Sequence, residues 1–121
     1  MNNASSSGFI TLAKAVEMTT RYRQNRNGVI NPIYSGSDII PLSDRFSAKV
    51  FETLINKPGC AYIRVYYGMD EHLQIRPIVV AVDENDQDIL PANANLESDD
   101  IGDDSLRCPP QCPPPSPLNE G

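Results

Sequence analysis

The chain predicts an α+β domain, two N-terminal helices packed on a small antiparallel β-meander, followed by an extended or disordered tail. Three observations carry this reading. Apolar residues recur at three- and four-residue intervals over 12–27 and again after Ser43; two runs rich in β-branched and aromatic residues flank a polar turn at 68–72; and the composition shifts abruptly after Leu90. The expected parts are a flexible N-terminus over 1–8, a folded domain over 9–90 and an acidic, proline-rich tail over 91–121.

In the first helix, expected over about 12–27, Leu12, Ala15, Val16, Thr19 and Tyr22 fall on one face, and Thr11 is the expected N-cap. Arg21, Arg23 and Arg26 complement the negative end of the helix dipole, and Asn27-Gly28 is expected to supply a left-handed stop. Pro32, Gly36 and Pro41 interrupt residues 29–42, which read as a connection with one short strand near Ile39-Ile40. The second helix is expected to start at Ser43 as N-cap, to carry Phe46, Val50, Phe51, Leu54 and Ile55 as its apolar stripe, and to end at Lys57-Pro58-Gly59.

Residues 60–67 and 73–82 read as a β-hairpin around the turn Gly68 to His72. Alternation places Ala61, Ile63, Val65 and Tyr67 on the face toward the helices, and Tyr62, Arg64 and Tyr66 on the face toward solvent or a partner. Pro77 lacks a ladder donor, so a bulge or an unpaired side is expected there. Asp83 to Asp88 forms a polar turn, and Ile89-Leu90 starts a short third strand.

The 121 residues carry a net charge of −6, of which residues 91–121, with six acids and one arginine, contribute −5. That segment holds seven of the eleven prolines and no aromatic residue, so it buries too little apolar surface to offset its ordering entropy. The acidity therefore says little about what the domain binds. No apolar run approaches the roughly 20 residues that span a bilayer, and no secretion signal opens the chain, so a cytoplasmic protein without membrane contact is expected. Three cysteines argue against a disulfide scaffold.

Five constellations bear on chemistry. Asp70, Glu71 and His72 set two carboxylates beside the sole histidine, the residue types of acid–base or metal chemistry, although a polar hairpin turn needs such residues in any case. Cys108 and Cys112, in Cys108-Pro-Pro-Gln-Cys112, suit a metal or a small-loop disulfide, whereas Cys60 reads as a small core residue. Arg107 to Pro113 matches the spacing of a polyproline-II ligand, a match any proline-rich tail produces. Arg21, Arg23 and Arg26 around Tyr22 are the residues a phosphate or nucleic acid would use, and with an acidic whole a solvated helix end is the better reading. Asp83, Asn85 and Gln87 alternate as in a calcium loop, but Asp88 stands where its glycine is required and Ala94 where its bidentate acid is required.

Together Ala15 to Arg23, Pro58 to Glu71, Val80 to Asn85 and Cys108 to Pro113 resemble a family of small uncharacterised bacterial proteins, over about residues 10–119. The resemblance implies no activity, cofactor or catalytic residue. The function expected from the residues is a non-catalytic cytoplasmic interaction protein with no cofactor. It would bind itself, as a homo-oligomer, or another protein through Tyr62, Arg64 and Tyr66, with the tail as a second contact element. The alternative is a small enzyme or a metal- or thiol-dependent factor using the His72 turn or the Cys108/Cys112 pair. A weak phosphate or nucleic-acid binder ranks third.

Overall fold

The computed structural model describes residues 8–34, 38–93 and 98–120, so the expected flexibility of 1–7 lies outside the described residues. Helix α1, Leu12–Asn25, starts where Thr11 accepts a hydrogen bond from the Lys14 amide at 3.0 Å. The expected left-handed stop is absent: Gly28 has no positive φ, and the backbone tightens into a 3₁₀ turn, Arg26–Val29. A second 3₁₀ turn, Pro32–Tyr34, follows.

Ser43 does not cap a helix. Residues Ser43–Arg45 form strand β1, and helix α2, Ala48–Ile55, begins after Ser47, whose hydroxyl accepts from the Lys49 amide at 3.2 Å. Phe46 precedes the cap and meets Phe51 edge-on with ring centroids 5.6 Å apart, a hydrophobic staple that fixes how the chain enters the helix. Its periodic position in the sequence therefore reflects the staple, not a helical turn. Val50, Phe51 and Leu54 face the core, while Ile55 is exposed. Gly59, at φ +84°, makes the expected reversal.

Strands β2, Tyr62–Met69, and β3, Ile75–Val82, pair antiparallel in unbroken register from Tyr62↔Val82 to Met69↔Ile75. No bulge marks Pro77. The Asp70 amide donates to the Gln74 carbonyl at 3.0 Å, which extends the ladder and makes the even-numbered residues of β2 the hydrogen-bonded partners of β3. Odd-numbered residues of β3, Pro77 among them, turn their backbone groups to the other side. There the Ile75 amide donates to Ile39, the Ala81 carbonyl accepts from Ile89, and Val79 and Val80 pair with strand β4, Ile101–Gly102. Pro77 falls in the gap between these partners, so its missing N–H breaks no ladder bond with β2. The expected third strand at Ile89-Leu90 is reduced to a bridge between Val82 and Asp88, and Ile39-Ile40 forms no strand.

The larger departure lies after Leu90. Over 98–108 the segment expected to be extended or disordered supplies β4 to the three-stranded sheet, in the order β2-β3-β4, and strand β5, Leu106–Cys108, to a two-stranded ladder with β1. Lys57, at the end of α2, holds Asp99 and Asp100, the latter at 2.8 Å, and Gly102 lets β4 approach Val50 and Val79 closely. The core is Leu54, Val79 and Ala81, ringed by Phe46, Val50, Phe51, Cys60, Ile63 and Ile89. Each fully buried aliphatic side chain contributes about 1.5–3 kcal/mol.

Thus α2 packs on the sheet, but α1 has no buried residue and lies against the C-terminal segment instead. Arg23 donates to the carbonyls of Leu118, at 2.7 Å, and Glu120. The α+β class holds; the expected two-helix layer does not. No helix among the described residues is long and apolar enough to cross a membrane.

Candidate functional site

On β2, Arg64 and Tyr66 share a face because side chains two apart in a strand point the same way. Both reach across β3 to the loop after it. The Arg64 guanidinium grips the carboxylates of Asp86 and Asp88, and the Tyr66 hydroxyl donates to the second oxygen of Asp88. These side chains cross the face that carries Val80 and Val82, both buried. Their polar ends are therefore committed within the chain. Tyr62, on the same face, is exposed. Of the three residues expected to form a partner surface, the structure ties two into a clasp and leaves one open.

The open apolar surface lies on the opposite face. Ile63 packs into the core, but α2 is too short to cover the rest of the row, so Val65, Tyr67 and Met69 are exposed, Tyr67 at 83%. Sequence alternation placed Val65 and Tyr67 inward, and the missing cover from α1 is the reason they are not. The same odd-numbered residues turn their N–H and C=O groups to the outer edge of the sheet. Among the described residues, no backbone hydrogen bond reaches that edge. Of the charged residues and prolines that usually blunt an exposed edge, Tyr62–Met69 contains only Arg64, which is paired with Asp86 and Asp88.

The turn at Asp70 holds no convergent acid–base set. Its carboxylate accepts from the amides of His72, at 2.8 Å, and Gln74, at 3.0 Å, and from Arg76 Nε at 3.2 Å. The Gln74 amide, above all, holds the Asp70 carboxyl below its ordinary value, with the His72 amide and Arg76 adding to it against desolvation. Glu71 and His72 lie 3.9 Å apart with both side chains in solvent. No group of His, Cys, Asp or Glu among the described residues is placed to hold a metal ion.

Cys108 and Cys112 are joined in a disulfide, while Cys60 is free and half-buried. Buried Cys108 and exposed Cys112 form one wall of an apolar groove of about 730 Å³, which Met18, Tyr22, Leu42 and Leu118 help to line. Burial pushes the Tyr22 phenol up, and its hydroxyl donates to the Pro41 carbonyl. The arginines of α1 and of the 3₁₀ turn after it make no common patch: Arg21 pairs with Glu17 at 2.9 Å, Arg23 holds the C-terminal carbonyls, and Arg26 lies 3.8 Å from Asp38.

Sequence reasoning missed Arg107, which is 4% exposed. Its guanidinium donates to the carbonyls of Asp38, Ile39, Ile75 and Pro109, joining three chain segments. A lone arginine in an acidic, proline-rich stretch carries no local signal of burial.

Comparison with protein-family models, curated proteins and solved structures finds no match.

Proposed function

We propose that the protein is a non-catalytic interaction protein that binds through its sheet, at the outer edge of β2 and the exposed side chains beside it. The C-terminal segment serves as a second contact element. One observation carries this reading: an eight-residue edge strand presents the backbone groups of Ile63, Val65, Tyr67 and Met69 with no strand beside it among the described residues. Such an edge is a template for another extended strand, with main-chain hydrogen bonds supplying affinity and alternate side chains supplying specificity. Tyr62 and Tyr67 add large contact areas at a small entropic cost, as aromatic residues do at interfaces.

Amide hydrogen exchange tests the reading residue by residue. In dilute protein the amides of Ile63, Val65, Tyr67 and Met69 exchange fast, and those of Arg64, Tyr66 and Gly68, bonded to β3, exchange slowly. Association, in concentrated protein or in cell extract, slows the first set. If the odd-numbered amides stay fast in both conditions, or are already slow in the dilute monomer, the reading fails.

A thiol-dependent factor is the second reading, favoured by the disulfide in the groove wall, with one cysteine buried and the other exposed. Joining the two thiols removes two protons and two electrons to an oxidant, so intact mass under non-reducing conditions distinguishes the states. Disulfides are rare in a reducing cytosol, so the state found in cells also decides between the cytoplasmic expectation and an oxidising compartment.

A further inference from the structure

We infer that the partner at the β2 edge is a second copy of this chain, paired antiparallel about a two-fold axis at Val65 so that two three-stranded sheets become one continuous sheet. The inference rests on the reading of the β2 edge given above and deepens it.

The register follows from which groups are free. Backbone groups of Ile63, Val65 and Tyr67 point outward, so a partner strand must form its hydrogen-bonded pairs at odd-numbered residues. A two-fold axis normal to the sheet pairs residues of the same face. Centred on Val65, it sets Val65 opposite Val65 of the second copy, and Ile63 opposite the second copy's Tyr67. These three hydrogen-bonded pairs, each exchanging two N–H···O=C bonds, use every outward group from Ile63 to Tyr67.

Side chains agree with that arrangement on both faces. On the core face, Tyr67 of each copy comes beside Ile63 of the other, which packs against α2. The second copy thus covers Tyr67, the residue that α1 leaves open, and aromatic against β-branched is a favourable cross-strand pair. On the other face, Arg64 of each copy comes opposite the partner's Tyr66, so no like charges are apposed. Arg64 is paired with Asp86 and Asp88 within its own chain, and Tyr62–Met69 carries no other charged side chain.

The edge geometry supplies a specific disruption. The Val65 N–H faces outward, so Val65→Pro removes no ladder bond to β3, yet it deletes both hydrogen bonds of the central pair. Sedimentation velocity on the full chain up to about 100 µM should show a monomer–dimer equilibrium, and Val65→Pro should weaken it by about 30-fold. Unchanged far-ultraviolet circular dichroism shows that the variant is folded.

Cross-linking tests the register without relying on that variant. Opposed α-carbons in a hydrogen-bonded antiparallel pair lie about 5.5 Å apart, within disulfide range, whereas Tyr67 and its own copy would lie about 14 Å apart. Oxidised Val65→Cys should therefore yield a covalent dimer well above the background from Cys60 in the unsubstituted chain. Tyr67→Cys, although more exposed, should not. A monomeric chain, a dimer indifferent to Val65→Pro, or equal linking through both positions overturns the two-fold pairing. If a monomeric chain gains edge-amide protection in cell extract alone, the interaction reading survives and the second copy does not; without protection in either condition, both fall.

Discussion

Asp70 and Asp83 open loops built on one hydrogen-bond scheme. Asp70 Oδ1 accepts from the amides of His72 and Gln74 at 2.8 and 3.0 Å, and Asp83 Oδ1 accepts from those of Asn85 and Gln87 at the same distances. In each, the amide three residues on donates to the aspartate carbonyl, and the aspartate amide donates to the carbonyl four residues on. The residue three positions on is left-handed in both: Leu73 at φ +63° and Asp86 at φ +64°. One local device thus turns the chain at both ends of β3. In both loops the aspartate Oδ1 is occupied by amides of its own loop.

Leu73 is the strained member of this pair of loops, since a branched side chain at positive φ is disfavoured and glycine is not. Leu73→Gly should therefore stabilise the protein, by roughly 0.5–1 kcal/mol in urea unfolding. Asp86→Gly relieves the same conformation but deletes a carboxylate held by Arg64, so it should gain less. Equal gains at the two positions would contradict the clasp.

Gly102 tests whether β4 is docked in solution. A Cβ there would stand 2.6 Å from Val50 Cγ1 and 2.9 Å from Val79 Cγ2, so Gly102→Ala should destabilise by about 1–3 kcal/mol. At Gly28 a Cβ meets nothing within 4 Å, and Gly28→Ala should be neutral or slightly stabilising. Were residues 98–108 unfolded in solution, Gly102→Ala would be as silent in thermal denaturation as Gly28→Ala.

Arg107→Met should cost about 3 kcal/mol, because it leaves buried carbonyls without donors while matching much of the lost volume. Arg107→Lys should recover little, since an ammonium cannot reach in several directions as the planar guanidinium does. Equilibrium unfolding of the two variants checks this, and full rescue by lysine would show that charge alone matters.

Acid should weaken the fold partly through Asp70. Its native pKa is lowered, first by the Gln74 amide and then by the His72 amide and Arg76. A depressed carboxyl contributes stability that is present above its unfolded value, about 3.9, and is lost as pH falls through the lower native value. Asp100, lowered by Lys57 and Ser98, acts in the same direction. Asp70→Asn keeps an oxygen acceptor for the loop amides but not the charge, so its stability should fall less steeply below pH about 4. An unchanged acid limb would remove Asp70 from the account.

By itself, the sequence determined whatever depends on neighbouring residues: the N-cap at Thr11, the apolar face at Val50, Phe51 and Leu54, the reversal at Gly59, and the hairpin of β2 and β3. Each is set by local torsions, capping or strand period, and each survives in the structure. Tertiary structure alone decided that Ser43 enters a strand and not a helix, because its partner, Cys108, lies far along the chain. Long-range pairing likewise decided that residues 98–108 fold onto β3 and β1, overriding a composition that argued for disorder. It also decided that α1 leaves the sheet, so that Tyr67 is open at an edge where alternation alone would have buried it. Composition measures how much apolar surface a segment brings; it cannot register hydrogen bonds and a buried guanidinium supplied by a distant partner, and those hold the C-terminal segment in place.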